Sequence, residues 1–370
     1  MLKSRLCDLV GIKYPIIQAG MGPFGTNQLC IASANAGILG LISSSGIASD
    51  ENQPQIFNYF CESGGADPND DKETILRTIF KNTLEQTREE QGVFGINVMV
   101  SEEMKEIAQL IVKVMFQVRE EDPEMKKRFK VLVTSAGDPL PWAEAVKQTD
   151  LVWMHVMPSV RAAKRCKKAG VDVVVASGHE GGFHTSWEPV HTMTLLPDVV
   201  DAVSDENTLV VGAGGFSDGK TLAAAFALGA DGAQMGTRFL STKESDFPQI
   251  WKEGVTEAGD RGTLIARGLV GPARWLKTPR SQEHAKKTLE KSPGVFLGVP
   301  DDYSTLDMSF IKEEYEAINA VYRGEKEKAL MAAGESAQRI NDMPPVQNVV
   351  KEIVTDAEKV IKNLPAKHLE

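Results

Sequence analysis

The residues best suited to chemistry lie in the segment SGHEGGFH, positions 177–184, which directly follows an apolar run. It places His179, Glu180 and His184 among three glycines. Imidazole is the side chain whose ordinary pKa suits proton transfer near neutral pH, so His184 is a candidate general acid or base. The three residues could also be metal ligands, although their spacing lacks the helical HExxH register. A further alternative is that both histidines are structural loop residues.

Two other glycine-rich segments could bind an anion. VGAGGFSDG at 211–219 lies at the end of an apolar run and precedes a helical pattern, and GAQMGTR at 232–238 lies at the end of the next strand-like run. Gly214 and Gly215 let the backbone approach an anion closely, and the N-terminus of the following helix offers free N–H groups. Gly236 and Thr237 add two N–H groups and a hydroxyl. Together these segments predict a phosphate-binding cup.

Two nucleotide motifs are the alternatives for these glycines. GAGGFSDG does not fit the dinucleotide pattern GxGxxG with an acidic residue at the end of the next strand. The residues GGFSDGKT at 214–221 do satisfy GxxxxGK[ST] literally. A P-loop, however, follows an early strand of an NTPase core, whereas this segment follows the seventh strand-like run of the chain. The context therefore favours a phosphate cup over an NTPase site.

The elements that must position these residues alternate between strand and helix. Short apolar runs are typical of parallel strands covered on both faces, and we find eight, at 16–19, 38–42, 93–98, 131–135, 151–155, 171–176, 209–213 and 232–235. Helical patterns occupy 27–35, 71–90, 102–119, 141–148, 159–169, 197–204 and 220–228. Eight alternations predict an α/β fold, a (β/α)₈ TIM barrel, rather than an open doubly wound sheet. The glycine-rich ends of strands seven and eight agree with this, because barrels commonly bind phosphate there.

In such a barrel the carboxyl ends of the strands form the catalytic face. That face would also hold the segment QAGMG at 18–22 after strand one, Asn97 on strand three and His155 at the end of strand five. Asn97 could reach a ligand with its amide or could cap a turn, and His155 has the same two interpretations.

The regular alternation ends after strand eight. We expect residues 1–242 to form the barrel, completed by C-terminal helices within 319–368, and 243–318 to form a smaller helical and loop capping domain. Helical patterns at 313–323, 325–333 and 346–364 are expected to pack back on the barrel. The long segment 45–92 contains ESGGADPNDDKET, which predicts an exposed loop before a helix.

Composition excludes several classes of function. The chain has 370 residues, with 41 basic and 51 acidic side chains and a net charge of −10. An acidic chain without a lysine or arginine block is not expected to bind nucleic acid. The four cysteines form no CxxC pair, and no run reaches the roughly 18 apolar residues of a membrane helix. We therefore expect a cytoplasmic protein without a membrane partner, and a barrel of this size can form a homo-oligomer.

Several segments resemble one family when taken in order. They are YPIIQAGMG, NAGILGLISSSG, FGINVMV, ASGHEGGFHTS, VVGAGGFSDGKTLAAAFALGADGAQMGTRFLSTKES and AAGESAQRI. They are similar to the nitronate monooxygenase family, also called 2-nitropropane dioxygenase-like, which includes the flavin-type enoyl-[acyl-carrier-protein] reductases. The similarity covers nearly the whole chain and is most specific in GADGAQMGTRFLSTKES and the GAGGFSDG loop.

The resemblance implies a TIM barrel that binds FMN without a covalent bond. It places the phosphate on Gly214, Gly215, Gly236 and Thr237, and the flavin ring beside Ala19, Gly20, Met21, Gly22, Asn97, Ser177 and Gly178. It also makes His184 the catalytic histidine, in agreement with the interpretation from spacing and strand position.

The strand-six segment departs from the family pattern QGxEAGGH. Ser177 replaces a longer amide or carboxylate, His179 is an added imidazole and Phe183 replaces a glycine. His179, Phe183 and His155 are therefore candidate substrate contacts. The activity that the resemblance implies is oxidation of alkyl nitronates with O₂. One alternative is an FMN-dependent dehydrogenase or reductase of a CoA or acyl-carrier-protein thioester, with NAD(P)H as a further reactant. Another is a phosphate-ligand-binding barrel without enzyme activity.

Overall fold

The computed structural model describes residues 2–23, 25–49, 53–302 and 307–369. Its strands are β1 Ile16–Gln18, β2 Gly40–Ser43, β3 Phe94–Met99, β4 Phe129–Ser135, β5 Val152–Met157, β6 Val173–Ser177, β7 Phe183–His184, β8 Leu209–Ala213, β9 Gly232–Met235, β10 Thr263–Gly268 and β11 Gly271–Leu276. Eight of them form one parallel sheet in the order β1-β9-β8-β6-β5-β4-β3-β2. A parallel bridge between Ile17 and Leu39 joins the two edge strands. The predicted (β/α)₈ barrel is therefore confirmed.

Helices surround this barrel. They are α1 Arg5–Val10, α2 Asn27–Asn35, α3 Pro54–Ser63, α4 Lys72–Gln86, α5 Lys105–Glu121, α6 Pro123–Arg128, α7 Ala143–Lys147, α8 Val160–Ala169, α9 Thr192–Val203, α10 Gly219–Ala227 and α16 Val346–His368. Local chemistry sets their ends: Asp218 and Thr221 form a capping box at the start of α10, and α8 ends at Gly170 with φ +82°. The predicted exposed loop in the 45–92 segment is the connection between α3 and α4, where Asp71 caps α4.

The barrel has an inner and an outer apolar layer, and one of its ends stays open for a site. Inward-facing residues of the strands pack with Leu6 and Val10 of α1, and outward-facing residues pack with the other helices. The helix α1 lies at the amino ends of the strands, because a Cβ on Gly232, the first residue of β9, would lie 2.8 Å from Leu6 Cδ2. The carboxyl ends of the strands therefore face the cap.

The cap has its own sheet and its own apolar cluster. Its sheet has the order β10-β11-β7 and is antiparallel. Its helices are α11 Thr237–Leu240, α12 Gln249–Thr256, α13 Pro279–Lys291, α14 Gly294–Leu297 and α15 Met308–Asn319. The buried side chains of Trp251, Trp275 and Ile318 belong to this second cluster. Among the described residues, no helix combines the length and the apolar character needed to cross a membrane.

The predicted helix at 325–333 is wrong. The chain there makes only a short 3₁₀ turn, Lys326–Lys328, and then Ala332 forms an antiparallel bridge with Trp275 of β11. Leu330 and Met331 are both buried in the second cluster, so pairing and burial override the helical propensity of this segment.

The C-terminal part of the chain also divides differently from the prediction. The helix α15 packs in the cap, where Lys287 Nζ on α13 lies 2.6 Å from a Glu313 carboxylate oxygen. The second cluster continues to Ile340. The helix α16 returns to the barrel, where it packs on α10 and α2. The helix predicted at 313–323 therefore packs in the cap, whereas α16, which lies within the predicted 319–368, packs on the barrel.

Candidate active site

The residues of the predicted phosphate cup meet at the carboxyl ends of the adjacent strands β8, β9 and β1. Gly214 and Gly215 follow β8 with φ of +83° and +87°, a left-handed conformation that favours glycine. Gly236 follows β9, and a Cβ on it would lie 3.1 Å from Met21 Sδ and 3.7 Å from Ala19 Cβ. The cup predicted at strands seven and eight is thus directly beside the predicted flavin segment after β1.

The backbone of this cup presents hydrogen-bond donors without acceptors. Within the described ranges, the N–H groups of Gly214, Gly215 and Gly236 donate to no protein acceptor. Thr237 Oγ1 accepts a hydrogen bond from Gly334 N at 2.9 Å, so its own hydroxyl hydrogen is available to donate. The three glycines are half-buried. Because unpaired backbone N–H groups are rare in partly enclosed sites, this arrangement suits an anionic ligand.

A side-chain latch holds the Gly214 turn against the end of β6. Gly178, which follows Ser177 at the end of β6, is so close to the turn that a Cβ on Gly214 would lie 2.6 Å from Gly178 O. Thr192 Oγ1 lies 2.8 Å from Gly214 O and 3.0 Å from the Glu180 carboxylate. That carboxylate also accepts from Thr192 N at 3.0 Å. Sequence reasoning missed this latch, because Thr192 lies outside the strand-six motif and carries no local signal.

The predicted flavin-ring residues lie close together as well. A Cβ on Gly20 would lie 2.7 Å from Asn97 Cβ, and Asn97 Nδ2 donates to Gly20 O at 3.4 Å. Asn97 Oδ1 accepts from Ser135 Oγ at 3.1 Å, which fixes the orientation of its amide. A Cβ on Gly22 would lie 2.6 Å from Ser45 Oγ. Ser135 and Ser45 are further polar groups of this wall that the sequence did not single out.

His184 belongs to the cap sheet rather than to the barrel. It pairs with Ala273 of β11, and its ring lies 4.2 Å from the ring of Phe183. A Cβ on Gly268 would lie 3.1 Å from His184 Cε1, so the imidazole lies against the backbone of β10. Among the residues that the structure describes, His184 Nδ1 is buried and has no hydrogen-bond partner. Burial, with a smaller contribution from Arg267, lowers the pKa of His184 to about 4, so the ring is a neutral proton acceptor near pH 7.

His179 lies on the other side of the strand-six segment. Its ring meets His191 edge to face at 5.3 Å, and its carbonyl oxygen accepts from Arg274 at 2.9 Å. Burial, followed by the charges of Arg274 and His191, lowers the pKa of His179 to about 4. Across the described part of the chain, no three histidine, cysteine or acidic side chains are grouped to hold a metal ion.

The structure does not bring His155 into this group. Its Nδ1 lies 2.8 Å from Thr134 Oγ1, which also accepts from Trp153 Nε1 at 2.9 Å. Trp153 lies in the outer apolar layer, whereas Met154 faces the barrel interior. Because side chains alternate along a strand, His155 faces the surrounding helices. The proposal that it contacts substrate is therefore corrected.

The order of the segments and this geometry agree with the comparison to known proteins. The profile of the family described as "Nitronate monooxygenase" matches residues 3–356. The chain belongs to the nitronate monooxygenase family. Membership makes it an oxidoreductase and implies a flavin cofactor, in agreement with the resemblance found in the sequence.

The proteins similar to this chain are named for different activities. A (3aS,4S,5R,7aS)-5-hydroxy-7a-methyl-1-oxo-octahydro-1H-indene-4-carboxyl-CoA dehydrogenase of Mycobacterium tuberculosis is 28% identical, with 96% of each chain covered. A probable nitronate monooxygenase of Staphylococcus aureus is 25% identical, with 97% of this chain and 99% of the relative covered. The structure of FabK from Thermotoga maritima is similar with a TM-score of 0.76 and 27% identity, covering 99% of this chain and 100% of that chain.

Proposed function

We propose that this chain is an FMN-dependent oxidoreductase that oxidises alkyl nitronates with O₂. The observation that carries the proposal is that Gly182, two residues before His184, lies against Gly334, whose N–H donates to Thr237 of the anion cup. Gly214, Gly215 and Gly236 of this cup supply backbone donors, and His184 supplies a neutral imidazole. Family membership and the Staphylococcus relatives support this reaction class.

The residues present fit a flavin monophosphate. The N–H groups of the three cup glycines and the hydroxyl of Thr237 would hold the phosphate, because they are donors without protein acceptors. The segment 19–22 and the amide of Asn97 would border the ring. The chemistry that a bound flavin would supply is the transfer of electrons from the substrate to O₂.

The protein side chains then handle the proton and the solvent. His184 is uncharged near neutral pH, so it can orient the nitronate, or it can take the Cα proton of the neutral nitroalkane, which gives the nitronate. Phe183 and the backbone of Gly268 pack against the imidazole and exclude water from that side. Exclusion of water strengthens the interactions of the fixed backbone dipoles with developing negative charge.

A second candidate is oxidation or reduction of a CoA or acyl-carrier-protein thioester. It is favoured by the two carboxyl-CoA dehydrogenases, from Mycobacterium tuberculosis and Rhodococcus jostii, which align over 96% and 99% of this chain. The cap that carries His184 would be the part that admits such a substrate.

Spectra and two assays separate these functions. The purified protein should be yellow and should release FMN on denaturation. Consumption of O₂ with ethyl nitronate supports the first function, and oxidation of NADH or NADPH stimulated by crotonyl-CoA supports the second. A colourless protein that binds phosphate ligands but turns over neither probe would contradict both and leave the non-enzymatic barrel. The His184→Ala variant is the control for turnover that depends on this site.

A further inference from the structure

Phe183 has a backbone conformation that is unusual for its residue type. Its φ is +61°, in the left-handed region that favours glycine. Such a conformation costs free energy for a residue with a bulky side chain, and it persists only where the surroundings enforce it. Phe183 directly precedes His184, so this strain is located at the candidate catalytic group.

Packing in the cap enforces this conformation. The Phe183 ring meets the ring of Trp275 edge to face, with centroids 5.5 Å apart at 81°. Trp275 is fully buried, and its Nε1 donates to Arg267 O at 3.1 Å. The same carbonyl oxygen lies 2.9 Å from His284 Nε2. The surface on which Phe183 rests is therefore itself fixed by buried hydrogen bonds.

His184 is oriented by contacts of a different kind from those usual for a catalytic histidine. Such a histidine is commonly aligned by a hydrogen bond to its second ring nitrogen. Here Nδ1 is buried without a partner, and the imidazole lies between the Phe183 ring, 4.2 Å away at 45°, and the backbone at Gly268. Packing is thus the interaction that holds the ring in place.

We propose that Phe183 is a positioning residue that fixes the His184 imidazole by packing, in the role that a hydrogen-bonding side chain usually has. The effect of this positioning on turnover rests on the proposed function. Its structural part, the position and solvation of His184, does not depend on any substrate.

The charged groups around His184 are paired with residues other than Phe183. Arg267 is buried and ion-paired with Asp301, and the buried carboxyl of Glu314 also faces Arg267. Arg274 on the neighbouring strand is directed to Glu335, 3.0 Å away. Removal of the ring therefore changes the access of water to the imidazole and leaves the local charges unchanged.

Imidazole NMR titration of the full-length protein tests the structural part. The signal of His184 is assigned by its loss in His184→Ala. We expect Phe183→Gly to raise the pKa of His184 from about 4 toward its ordinary value of 6.5, because water reaches the ring. Phe183→Leu keeps an apolar side chain and should leave the pKa near the wild-type value. An unchanged pKa in Phe183→Gly would overturn the proposal.

A matched control separates the effect of the ring from the relief of strain. Gln91 is exposed, has φ +51° and lies far along the chain in the turn after α4. Gln91→Gly relieves the same kind of backbone strain, so it should change neither the pKa of His184 nor turnover. A response equal to that of Phe183→Gly would mean that global stability, and not the ring, is responsible.

Steady-state kinetics with ethyl nitronate tests the consequence. Phe183→Gly should lower kcat about 10- to 100-fold, because a displaced catalytic group loses its alignment. Combined with His184→Ala it should cause no further loss, since the ring acts through the imidazole. Additive losses would overturn the positioning role. If the wild-type protein does not turn over ethyl nitronate, the proposed function fails instead. If His184→Ala retains full turnover, only the catalytic role of His184 fails, and in both cases the NMR titration still decides the packing role.

Discussion

Substitution of Gly215 by alanine tests the anion cup with a single methyl group. Gly215 has φ +87°, and a Cβ there would meet only the Glu180 side chain, at an ordinary distance of 3.6 Å. The cost is therefore that of a left-handed backbone for an L-residue, about 1–2 kcal/mol. Without a ligand the turn can relax and avoid this cost, whereas FMN binding requires the left-handed conformation. The cost therefore lowers the affinity for FMN. The affinity for FMN should fall about 5- to 30-fold.

The same substitution at Gly214 should be more severe. Its φ is +83°, but a Cβ there would also lie 2.6 Å from Gly178 O and 3.1 Å from Gly178 N. Those atoms are backbone at the end of β6, so the clash can be relieved only by moving the two strand ends apart. Overpacking adds about 1–3 kcal/mol to the backbone cost. We expect a loss of FMN affinity of about 30-fold or more.

Titration of the apoprotein with FMN, followed by quenching of flavin fluorescence, measures these affinities. Gly324→Ala is the matched control, because Gly324 has φ +69° and no atom lies within 4 Å of its added Cβ. It should lower the melting temperature about as much as Gly215→Ala and leave FMN affinity unchanged. Wild-type affinity in Gly214→Ala would refute the assignment of the cup.

Three other predictions concern the proton-transfer group, the latch and the response to acid. His184→Ala should lower kcat with nitroethane, whose Cα proton must be removed, about 10²- to 10⁴-fold while the FMN content stays the same, and retained turnover with nitroethane would remove it from proton transfer. Thr192→Val should weaken FMN binding about 5- to 10-fold, since a hydroxyl that contacts Gly214 O at 2.8 Å contributes about 1 kcal/mol. Thr194→Val, two residues along the same helix, is the control and should leave FMN binding unchanged. The free energy of unfolding should fall as pH decreases from about 6.5 to 4, because the unfolded chain takes up protons that four histidines with lowered pKa values resist in the folded state. The histidines are His155, His179, His184 and His284, and the pKa of each is lowered to about 4. In urea titrations, His155→Gln should make the free energy of unfolding depend less steeply on pH. A free energy of unfolding that does not change between pH 7 and 4.5 would contradict this prediction.

The barrel could be predicted because its signals are local. Parallel strands covered on both faces require continuous apolar runs, and all eight runs became strands. The cup was predictable for the same reason, since Gly214 and Gly236 are placed by the strand ends that they follow.

The remainder depends on contacts between distant residues. The segment around Met331 has a helical composition, but pairing with Trp275 of β11 makes it extended. His155 lies on a strand buried on both faces, so its neighbours in sequence do not show which face it occupies. The pairing of His184 with Ala273, 89 residues apart in the chain, likewise has no local signature.

The two halves of the candidate site are built on separate apolar interiors. The anion cup belongs to the barrel, and His184 belongs to the three-stranded sheet of the cap. They meet where a Cβ on Gly182 would lie 2.5 Å from Gly334 N. Mutations in the cap can therefore change substrate selectivity without changing the barrel residues that would hold the prosthetic group. This makes the cap the natural target for engineering new selectivity.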